Sequence, residues 1–160
     1  MTIPIEQWRF LKTFGSDGDY DSYSQYEEVY LSVTSGKLID VAIDPTMIAL
    51  NYGEEMAEEM VYNQTVVEAK PDKFLLIPSM SHGQQHDVIQ DFLASNWTPD
   101  TSRKDQASGA YYQRRSIGFW LREVNDSQAI DAYFRFKEVA ILQRAEAFLR
   151  ANGITEFLWV

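Results

Sequence analysis

The C-terminal helix is the feature that most constrains how this chain can fold. The segment "QAIDAYFRFKEVAILQRAEAFLRAN" is followed directly by Gly153, the residue type that commonly ends a helix at its C′ position. The helix is predicted to begin near Asn125–Ser127. Its apolar residues recur at helical spacing, which indicates one buried face. The predicted buried stripe consists of Ile130, Phe134, Ile141, Ala145, Phe148 and Leu149.

The first half of the chain carries the strand signals. "YEEVYLSV" (26–33) and "LIDVAI" (38–43) flank "TSGK", where Gly36 can supply the positive φ of a tight hairpin turn. "KFLLI" (73–77) is a short apolar run that predicts a buried strand, and "ITEFLWV" at the C-terminus alternates as a terminal strand does.

Three further helices are predicted from periodicity and start signals. "IPIEQWRFLKTF" spaces Ile5, Trp8, Leu11 and Phe14 as one amphipathic face. "EEMAEEMVY" (54–62) is predicted to turn Met56, Met60 and Val61 inward. Near "TPDTSRKDQ", Thr98 is predicted as the N-cap with Pro99 at the first helical position. That helix is expected to break either at Gly109 or within "RRSIG" (114–118).

These elements together predict an α+β fold in a single domain, residues 1–160. The domain has an N-terminal helix and a β-hairpin, a short central strand, and a helix-rich C-terminal half with a long final helix. A chain of 160 residues is long enough to bury a substantial core.

The composition of the chain indicates which cellular compartment and which classes of partner to expect. The chain has no cysteine, no apolar run of bilayer length and no signal-peptide pattern at its start, so we expect a soluble cytoplasmic protein without a membrane partner. The net charge is −10, and residues 1–62 carry −9 of it, with twelve Asp/Glu against three Lys/Arg. Such a chain repels nucleic acid at long range, so nucleic acid is a disfavoured partner.

Four glutamates of the predicted helix 54–62 form the main candidate binding surface. They are Glu54, Glu55, Glu58 and Glu59. An exposed acidic helix can attract a basic protein partner.

A second acidic set lies near the hairpin and could hold calcium in principle. It comprises Asp17, Asp19, Asp21, Glu27 and Glu28. Gly18 falls at position two of the would-be calcium loop, where an EF-hand needs its glycine at position six. We therefore expect a solvated acidic loop.

The two histidines of the chain lie in "SMSHGQQHDVIQDF" (79–92), as His82 and His86. Zinc proteases place a glutamate directly after the first histidine of such a pair, but this chain has Gly83 there and no evident third ligand. Ser81 and Gln84 instead fit a capping box at a helix start. The two histidines are predicted to border the helix's buried face, and they remain weak candidates for a metal site.

Basic and aromatic residues alternate between positions 103 and 122, a composition that can grip phosphates and stack bases. The residues that would make these contacts are Arg114, Arg115, Tyr111 and Tyr112. The overall acidity of the chain favours the simpler interpretation of a solvated loop beside core aromatics.

From the hairpin onward, over residues 26–155, the chain resembles uncharacterised protein family 0158, a bacterial family of unknown function. "YLSVTSGKLIDV", "FLLIP", "VIQDFL", "SIGFWLREV" and "AYFRFKEVAILQRAEAFLRANGI" follow the family's order of hairpin, Leu-x-Ile-Pro strand and helices. The family's aromatic cluster corresponds to Tyr133, Phe134 and Phe136. Its basic–acidic pairs correspond to Arg122, Glu123, Lys137 and Glu138. The end of its long helix corresponds to Asn152–Gly153–Ile154. "SIGFWL" departs from the family's "Gly-Ala-Phe-Arg-Arg-Phe" and lacks its two arginines. The resemblance implies a shared α+β fold and no particular activity.

The sequence contains few signs of a catalytic site. The sequence has no Gly-x-Ser-x-Gly elbow, no phosphate-binding loop and no dinucleotide fingerprint, and nothing in it indicates a cofactor. We therefore expect a non-catalytic protein-interaction module that uses its acidic N-terminal part. The alternative is a nucleic-acid-associated or hydrolytic protein that uses the Arg/Tyr cluster at 103–122. The sequence leaves the oligomeric state open.

Overall fold

The computed structural model describes residues 1–15 and 26–160, and within these ranges it has seven α-helices, five strands and one 3-10 turn. In chain order they are Ile3–Ile5 (β1), Gln7–Phe14 (α1), Glu27–Ser32 (β2), Leu38–Ala42 (β3), Pro45–Tyr52 (α2), Glu54–Ala69 (α3), Pro71–Lys73 (the 3-10 turn), Phe74–Leu76 (β4), His82–Ala94 (α4), Thr101–Tyr112 (α5), Ile117–Glu123 (α6), Ser127–Ala151 (α7) and Phe157–Trp159 (β5). The predicted α+β class, with its long C-terminal helix, is confirmed.

The chain divides into two compact units. The first comprises Met1–Ser81 together with Ala145–Val160, and the second comprises His82–Arg144. Helix α7 therefore begins in the second unit and ends in the first. The prediction of a single domain over residues 1–160 stays a prediction. Among the described residues, no helix is both long enough and apolar enough to cross a membrane.

In the first unit, the two ends of the chain pair as parallel strands. Ile3 lies opposite Phe157 in β1 and β5, and Ile5 lies opposite Trp159. The sequence predicted β5, but it placed Ile5 in the first helix, and this placement is wrong. Proline is tolerated in β1 because the strand has a neighbour on one side only, so Pro4 needs no N–H to donate on the other.

The three-stranded antiparallel sheet has the order β3-β2-β4. The predicted hairpin forms its β2–β3 pair, and Gly36 in the turn has a φ of 76° as the hairpin prediction requires. β4 lies at the edge, and the side chain of Leu76 is largely exposed. The predicted strand therefore forms, but the expectation that it is buried is wrong: Phe74 and Leu75 are half-buried, and Leu76 lines an open surface groove.

The buried face of helix α1 matches the predicted one only in part. Phe10 and Phe14 are buried, and Phe10 packs against Trp159 with ring centroids 5.5 Å apart. Trp8, which was predicted on the buried face, points to solvent. Phe10 and Phe14, one helical turn apart, form the buried face, and Trp8 lies about 160° around the helix from Phe10.

The pair α2 and α3 packs beside the hairpin. Helix α2 was not predicted, although its start signal is present: the side chain of Asp44 accepts a hydrogen bond from the Met47 amide (3.2 Å), and Pro45 occupies the first turn. Helix α3 begins where predicted but continues to Ala69. It buries Met60, whereas Met56 and Val61, which were predicted to turn inward, are exposed.

The second unit is built around an aromatic core. Trp120, fully buried, donates from Nε1 to the carbonyl oxygen of Ala107 (3.0 Å), and this bond joins α6 to α5. The remaining buried members of this core are Ile89, Phe92, Leu93, Tyr111, Ala129 and Tyr133.

Helix α5 starts later than predicted. Asp100 is its N-cap and accepts from the Arg103 amide (3.2 Å), while the hydroxyl of Thr98, two residues earlier, accepts from the Asp100 amide (3.2 Å). The predicted cap at Thr98 is wrong because a second capping side chain, that of Asp100, follows it. The helix continues through Gly109 and ends at Tyr112, so the break falls within residues 114–118, where Ser116 caps α6.

Helix α7 ends as predicted, since Gly153 follows it with a φ of 81°. Ile141, Ala145 and Leu149 of the predicted stripe are buried. Phe134 is exposed instead of buried, and the neighbouring Tyr133 takes the inward position.

Candidate functional site

The first unit contains an open groove of about 460 Å³, which we call the Trp8 groove. Helix α1, strands β2 to β4 and helix α3 all contribute to it. Its walls are formed by Trp8, Arg9, Lys12, Thr13, Glu27, Glu28, Val29, Asp40, Ile43, Met56, Met60, Leu76, Ile77 and Ser79. A concave surface of this size can hold a side chain or a short segment of a partner.

The walls of the groove expose large apolar side chains. The exposed fractions are 69% for Trp8, 53% for Ile43, 42% for Met56 and 43% for Leu76. Single exposed apolar residues are normal, but apolar residues gathered around a depression mark a surface made for binding. Tryptophan is also among the residues that most often dominate binding energy at protein interfaces.

The cations of the groove are held in place by contacts within the unit. Arg9 on α1 forms an ion pair with Asp40 on β3 and also donates from Nη1 to the Leu38 carbonyl oxygen (3.3 Å). The Lys12 ammonium lies 5.0 Å from the centroid of the Trp8 ring, a cation–π distance. These contacts fix the side of the groove from which Trp8 projects.

Strand β2 brings two negative charges to the groove, those of Glu27 and Glu28. On β2, Tyr30 donates from its hydroxyl to Oε2 of Glu28 (2.9 Å). The pKa of Tyr30 is raised above its ordinary value by burial first, and then by the hydrogen bond to Glu28 and the charges of Glu28 and Glu68. A second hollow of about 300 Å³ adjoins these residues, and it shares Glu28 and Ile43 with the Trp8 groove.

The four predicted binding glutamates are all exposed on α3, but they point in two directions. At about 100° per residue, Glu59 lies about 60° and Glu55 about 100° from Met56 around the helix, whereas Glu54 and Glu58 lie about 160° from it. Because Met56 and Met60 both line the Trp8 groove, Glu59 and then Glu55 are the glutamates of α3 nearest to that groove, about 80° and 120° around the helix from the midpoint of the two methionines. Glu54 and Glu58 face away from it.

The predicted Arg/Tyr cluster of the second unit does not form one surface. Tyr111 is 0% exposed and belongs to the core, whereas Tyr112 is half-exposed. Arg114 lies over the Phe119 ring, 4.4 Å from its centroid, and Arg115 is exposed with a positive φ of 50°. Arg114, Arg115 and Tyr112 are thus the members of the predicted set that reach the surface.

The histidines and Tyr111 form a connected chain of polar groups in the second unit. His82, the first residue of α4, places its Nε2 3.0 Å from Nε2 of His86, one turn later. His86 in turn has its Nδ1 2.5 Å from the Tyr111 hydroxyl on α5. The pKa of Tyr111 is raised by burial, so this hydroxyl stays neutral. The sequence predicted that both histidines would border a buried face, but it did not pair them with Tyr111.

Among the described residues, no group of three or more His, Asp or Glu side chains is arranged to hold a metal ion. Of the acidic set near the hairpin, Asp17, Asp19 and Asp21 lie outside the described residues, whereas Glu27 and Glu28 line the Trp8 groove.

Sequence analysis missed the groove because it assigned Trp8 and Met56 to the core. A signal was present in "QWRFLKTF", because Phe10 and Phe14 form an i, i+4 apolar face by themselves. The buried face of the helix therefore does not need Trp8. Asp40, by contrast, reaches the groove through a contact with Arg9 that spans 31 positions of the chain, and no local pattern indicates such a pair.

Comparisons with known proteins give no relative for this chain. No family model, no curated protein and no solved structure matches it. The fold and the geometry of the two units are therefore the whole basis for a functional proposal.

Proposed function

We propose that this protein is a non-catalytic interaction module whose Trp8 groove binds a basic, amphipathic segment of a partner protein. The observation that carries the proposal is the position of exposed Trp8 and Met56 in one groove. By helical periodicity, Glu59 and Glu55 are the glutamates of α3 nearest to it. Apolar side chains of the partner would contact the walls, and its cationic side chains would lie along α3.

The charge of the groove supports a basic partner. Within the lining, Glu27, Glu28 and Asp40 stand against Arg9 and Lys12, and the Arg9–Asp40 ion pair neutralises one charge of each sign. The nearest glutamates of α3 add further negative charge. Complementary charge of this kind steers association and selects partners, and its effect weakens as salt screens it.

The chemistry of the groove argues against the alternative of nucleic-acid binding at this site. Carboxylates repel phosphate, and nucleic-acid sites need cations that are free to replace counterions. The alternative keeps Arg114, Arg115 and Tyr112 as its residues, now without the buried Tyr111. Phosphate contacts at these arginines would make RNA binding fall steeply with added salt.

Two pairs of substitutions of equal charge test the proposal. Glu55→Gln/Glu59→Gln removes two charges from the side of α3 nearer to the groove, and Glu54→Gln/Glu58→Gln removes two charges from the opposite side of the same helix. Each immobilised variant, together with wild type and Trp8→Ala, is used to capture proteins from cell lysate at low and high salt. The captured proteins are quantified by mass spectrometry.

We expect a set of basic partners to bind wild type and the Glu54/Glu58 variant equally, and to be depleted with the Glu55/Glu59 and Trp8→Ala variants. Higher salt should lower the recovery of these partners on wild type. Equal capture by all four proteins would refute the role of the groove. Losses in the Glu54/Glu58 variant alone would move the site to the other face of α3.

Two expectations from the sequence accompany this proposal. We propose the cytoplasm as the place of action, because a chain without cysteine gains nothing from an oxidising compartment. Membership of uncharacterised protein family 0158 also remains a proposal, and it rests on the quoted motifs within residues 26–155.

A further inference from the structure

His82 and His86 bring two nitrogen donors to one point on the surface of the second unit. Their Nε2 atoms are 3.0 Å apart, and their ring centroids are 4.4 Å apart with the ring planes inclined by 67°. His82 is exposed and His86 is half-buried, so a solute can reach the space between them. When both imidazoles are neutral, one ring can donate its Nε2–H across this gap and the other can accept it.

The same separation suits a metal ion in place of the shared proton. Metal–imidazole bonds of about 2.0–2.1 Å put two cis nitrogens about 2.8–3.0 Å apart at a right angle and about 3.3–3.4 Å apart in a tetrahedron. The 3.0 Å separation of the hydrogen-bonded pair is within a few tenths of an ångström of both arrangements. Among the divalent first-row ions that imidazole binds, copper(II) is held most tightly.

A buried group orients the inner imidazole. When Nε2 of His86 binds a metal, its Nδ1 must carry hydrogen and donate it, and the Tyr111 oxygen lies 2.5 Å from that nitrogen. Tyr111 is 0% exposed and sits in the core of the second unit, so its position is fixed by packing. Acceptors of this kind hold the ring in the tautomer and orientation that metal binding needs.

We propose that His82 and His86 form a two-imidazole binding site for a divalent first-row transition-metal ion, with copper(II) the preferred ion. Water completes the coordination, since no group of three or more His, Asp or Glu side chains in the described ranges is arranged as a metal site. The sequence argued against a catalytic zinc centre because the base and the third ligand are lacking. A reversible two-histidine site requires neither of them.

The test is calorimetric titration of protein that carries no histidine tag with copper(II), nickel(II) and zinc(II) at pH 7.5. We expect one copper(II) per chain, with affinity in the order copper above nickel and zinc. His82→Ala should weaken copper binding by tenfold or more; the residue is exposed, so this variant should keep its fold. His86→Ala should do the same. Imidazole nitrogen hyperfine splitting in the copper electron paramagnetic resonance spectrum should be reduced in each single variant and absent from the His82→Ala/His86→Ala double variant.

The role of Tyr111 is tested separately. Tyr111→Phe should weaken copper binding about tenfold or more, because partners of ligating histidines are worth about 10–100-fold in affinity. Tyr112→Phe, the exposed neighbour, should leave the affinity unchanged. Wild-type affinity in the His82→Ala/His86→Ala double variant would overturn the proposal, because binding would then belong to other groups such as the N-terminal amine. Absence of 1:1 binding to wild type would overturn it equally.

Discussion

Arg103 binds Asp126 through two guanidinium nitrogens and both carboxylate oxygens. Its Nη2 lies 2.7 Å from Oδ1, and its Nε lies 3.0 Å from Oδ2. The same carboxylate accepts from the amides of Gln128 (3.1 Å) and Ala129 (3.2 Å), so it also caps α7. One side chain therefore joins the first turn of α5 to the first turn of α7.

Substitution of Asp126 should separate its capping role from its charge. Asp126→Ala removes both, and we expect it to lower the free energy of unfolding by about 1–2 kcal/mol, as lost N-caps do. Asp126→Asn keeps a capping oxygen and should cost less. Urea denaturation of both variants at pH 7 measures the difference, and equal losses would contradict the capping role.

The charge of Asp126 predicts how the stability of the fold depends on pH at acidic pH. Its pKa is lowered, first by the hydrogen bond from Arg103 and further by the two amides, against the opposing effect of burial. The stabilisation is therefore fully present above the unfolded-state pKa of about 3.9 and is lost as the pH falls through the lower folded-state pKa. Melting temperatures from pH 7 down to pH 2 should fall less in Asp126→Asn than in wild type. Parallel curves would refute the prediction.

Tyr133 and Tyr111 should respond oppositely to loss of their hydroxyl groups. The Tyr133 hydroxyl is buried without a hydrogen-bond partner among the described residues, so Tyr133→Phe should raise the free energy of unfolding by about 1 kcal/mol. The Tyr111 hydroxyl contacts His86, so Tyr111→Phe should lower it by about 1 kcal/mol. Chemical denaturation distinguishes the two signs.

The buried hydroxyl of Tyr133 also predicts a loss of stability at alkaline pH. Burial, with a smaller contribution from Tyr111, raises the pKa of Tyr133 to about 12. Above pH of about 10 the unfolded tyrosine ionises while the folded one stays neutral, so stability falls as the pH rises from about 10 to 12. Tyr133→Phe should show a smaller alkaline loss, measured by thermal unfolding between pH 9 and 11.5. An unchanged loss would show that other groups control it.

Gly36 and Gly53 form a matched pair for backbone strain. Both have positive φ, 76° and 97°, but a Cβ at Gly36 would lie 1.9 Å from the Pro4 carbonyl oxygen, whereas at Gly53 nothing lies within 4 Å. Gly53→Ala should cost about 1–3 kcal/mol of stability from strain alone. Gly36→Ala should cost more and disturb β1, as seen by hydrogen exchange of the Ile5 amide. Equal costs would contradict the close approach of Pro4.

Substitutions of Phe10 and Trp8 distinguish a residue of α1 that stabilises the fold from one that is available for binding. Phe10→Ala empties a fully buried site and should cost about 3–5 kcal/mol. Trp8→Ala removes a largely exposed ring and its contact with Lys12, and should change stability by about 1 kcal/mol or less. Thermal denaturation of both variants provides the measurement. A large loss for Trp8→Ala would make the residue structural and weaken its use as a binding probe.

Local signals predicted those elements whose causes are local. Gly36 and Gly153 mark their turn and helix end because few other residues adopt a positive φ easily. The start of α2 has an equally local cause, because Asp44 caps the helix and Pro45 occupies its first turn. Strand β1 could not be predicted, because three residues with a central proline show no period and their partner β5 lies more than 150 positions away.

The same distinction applies to the candidate sites. The exposed glutamates of α3 follow from helical periodicity, and the i, i+4 histidines follow from spacing. The groove depends on Arg9 meeting Asp40, and the orientation of His86 depends on Tyr111, a residue 25 positions away on another helix. Contacts of this kind arise from tertiary packing, and the periodicity of the sequence does not reveal them.

The pairing of β1 with β5 imposes an order on how the chain acquires its structure during synthesis. His82–Arg144 is a continuous segment that can collapse as soon as it has left the ribosome. The first unit must wait, because Ile3 gains its partner only when Phe157, 154 positions later, has emerged. Until then the nascent strand β1 presents an unpaired edge, and we expect a closure over so many residues to be slow.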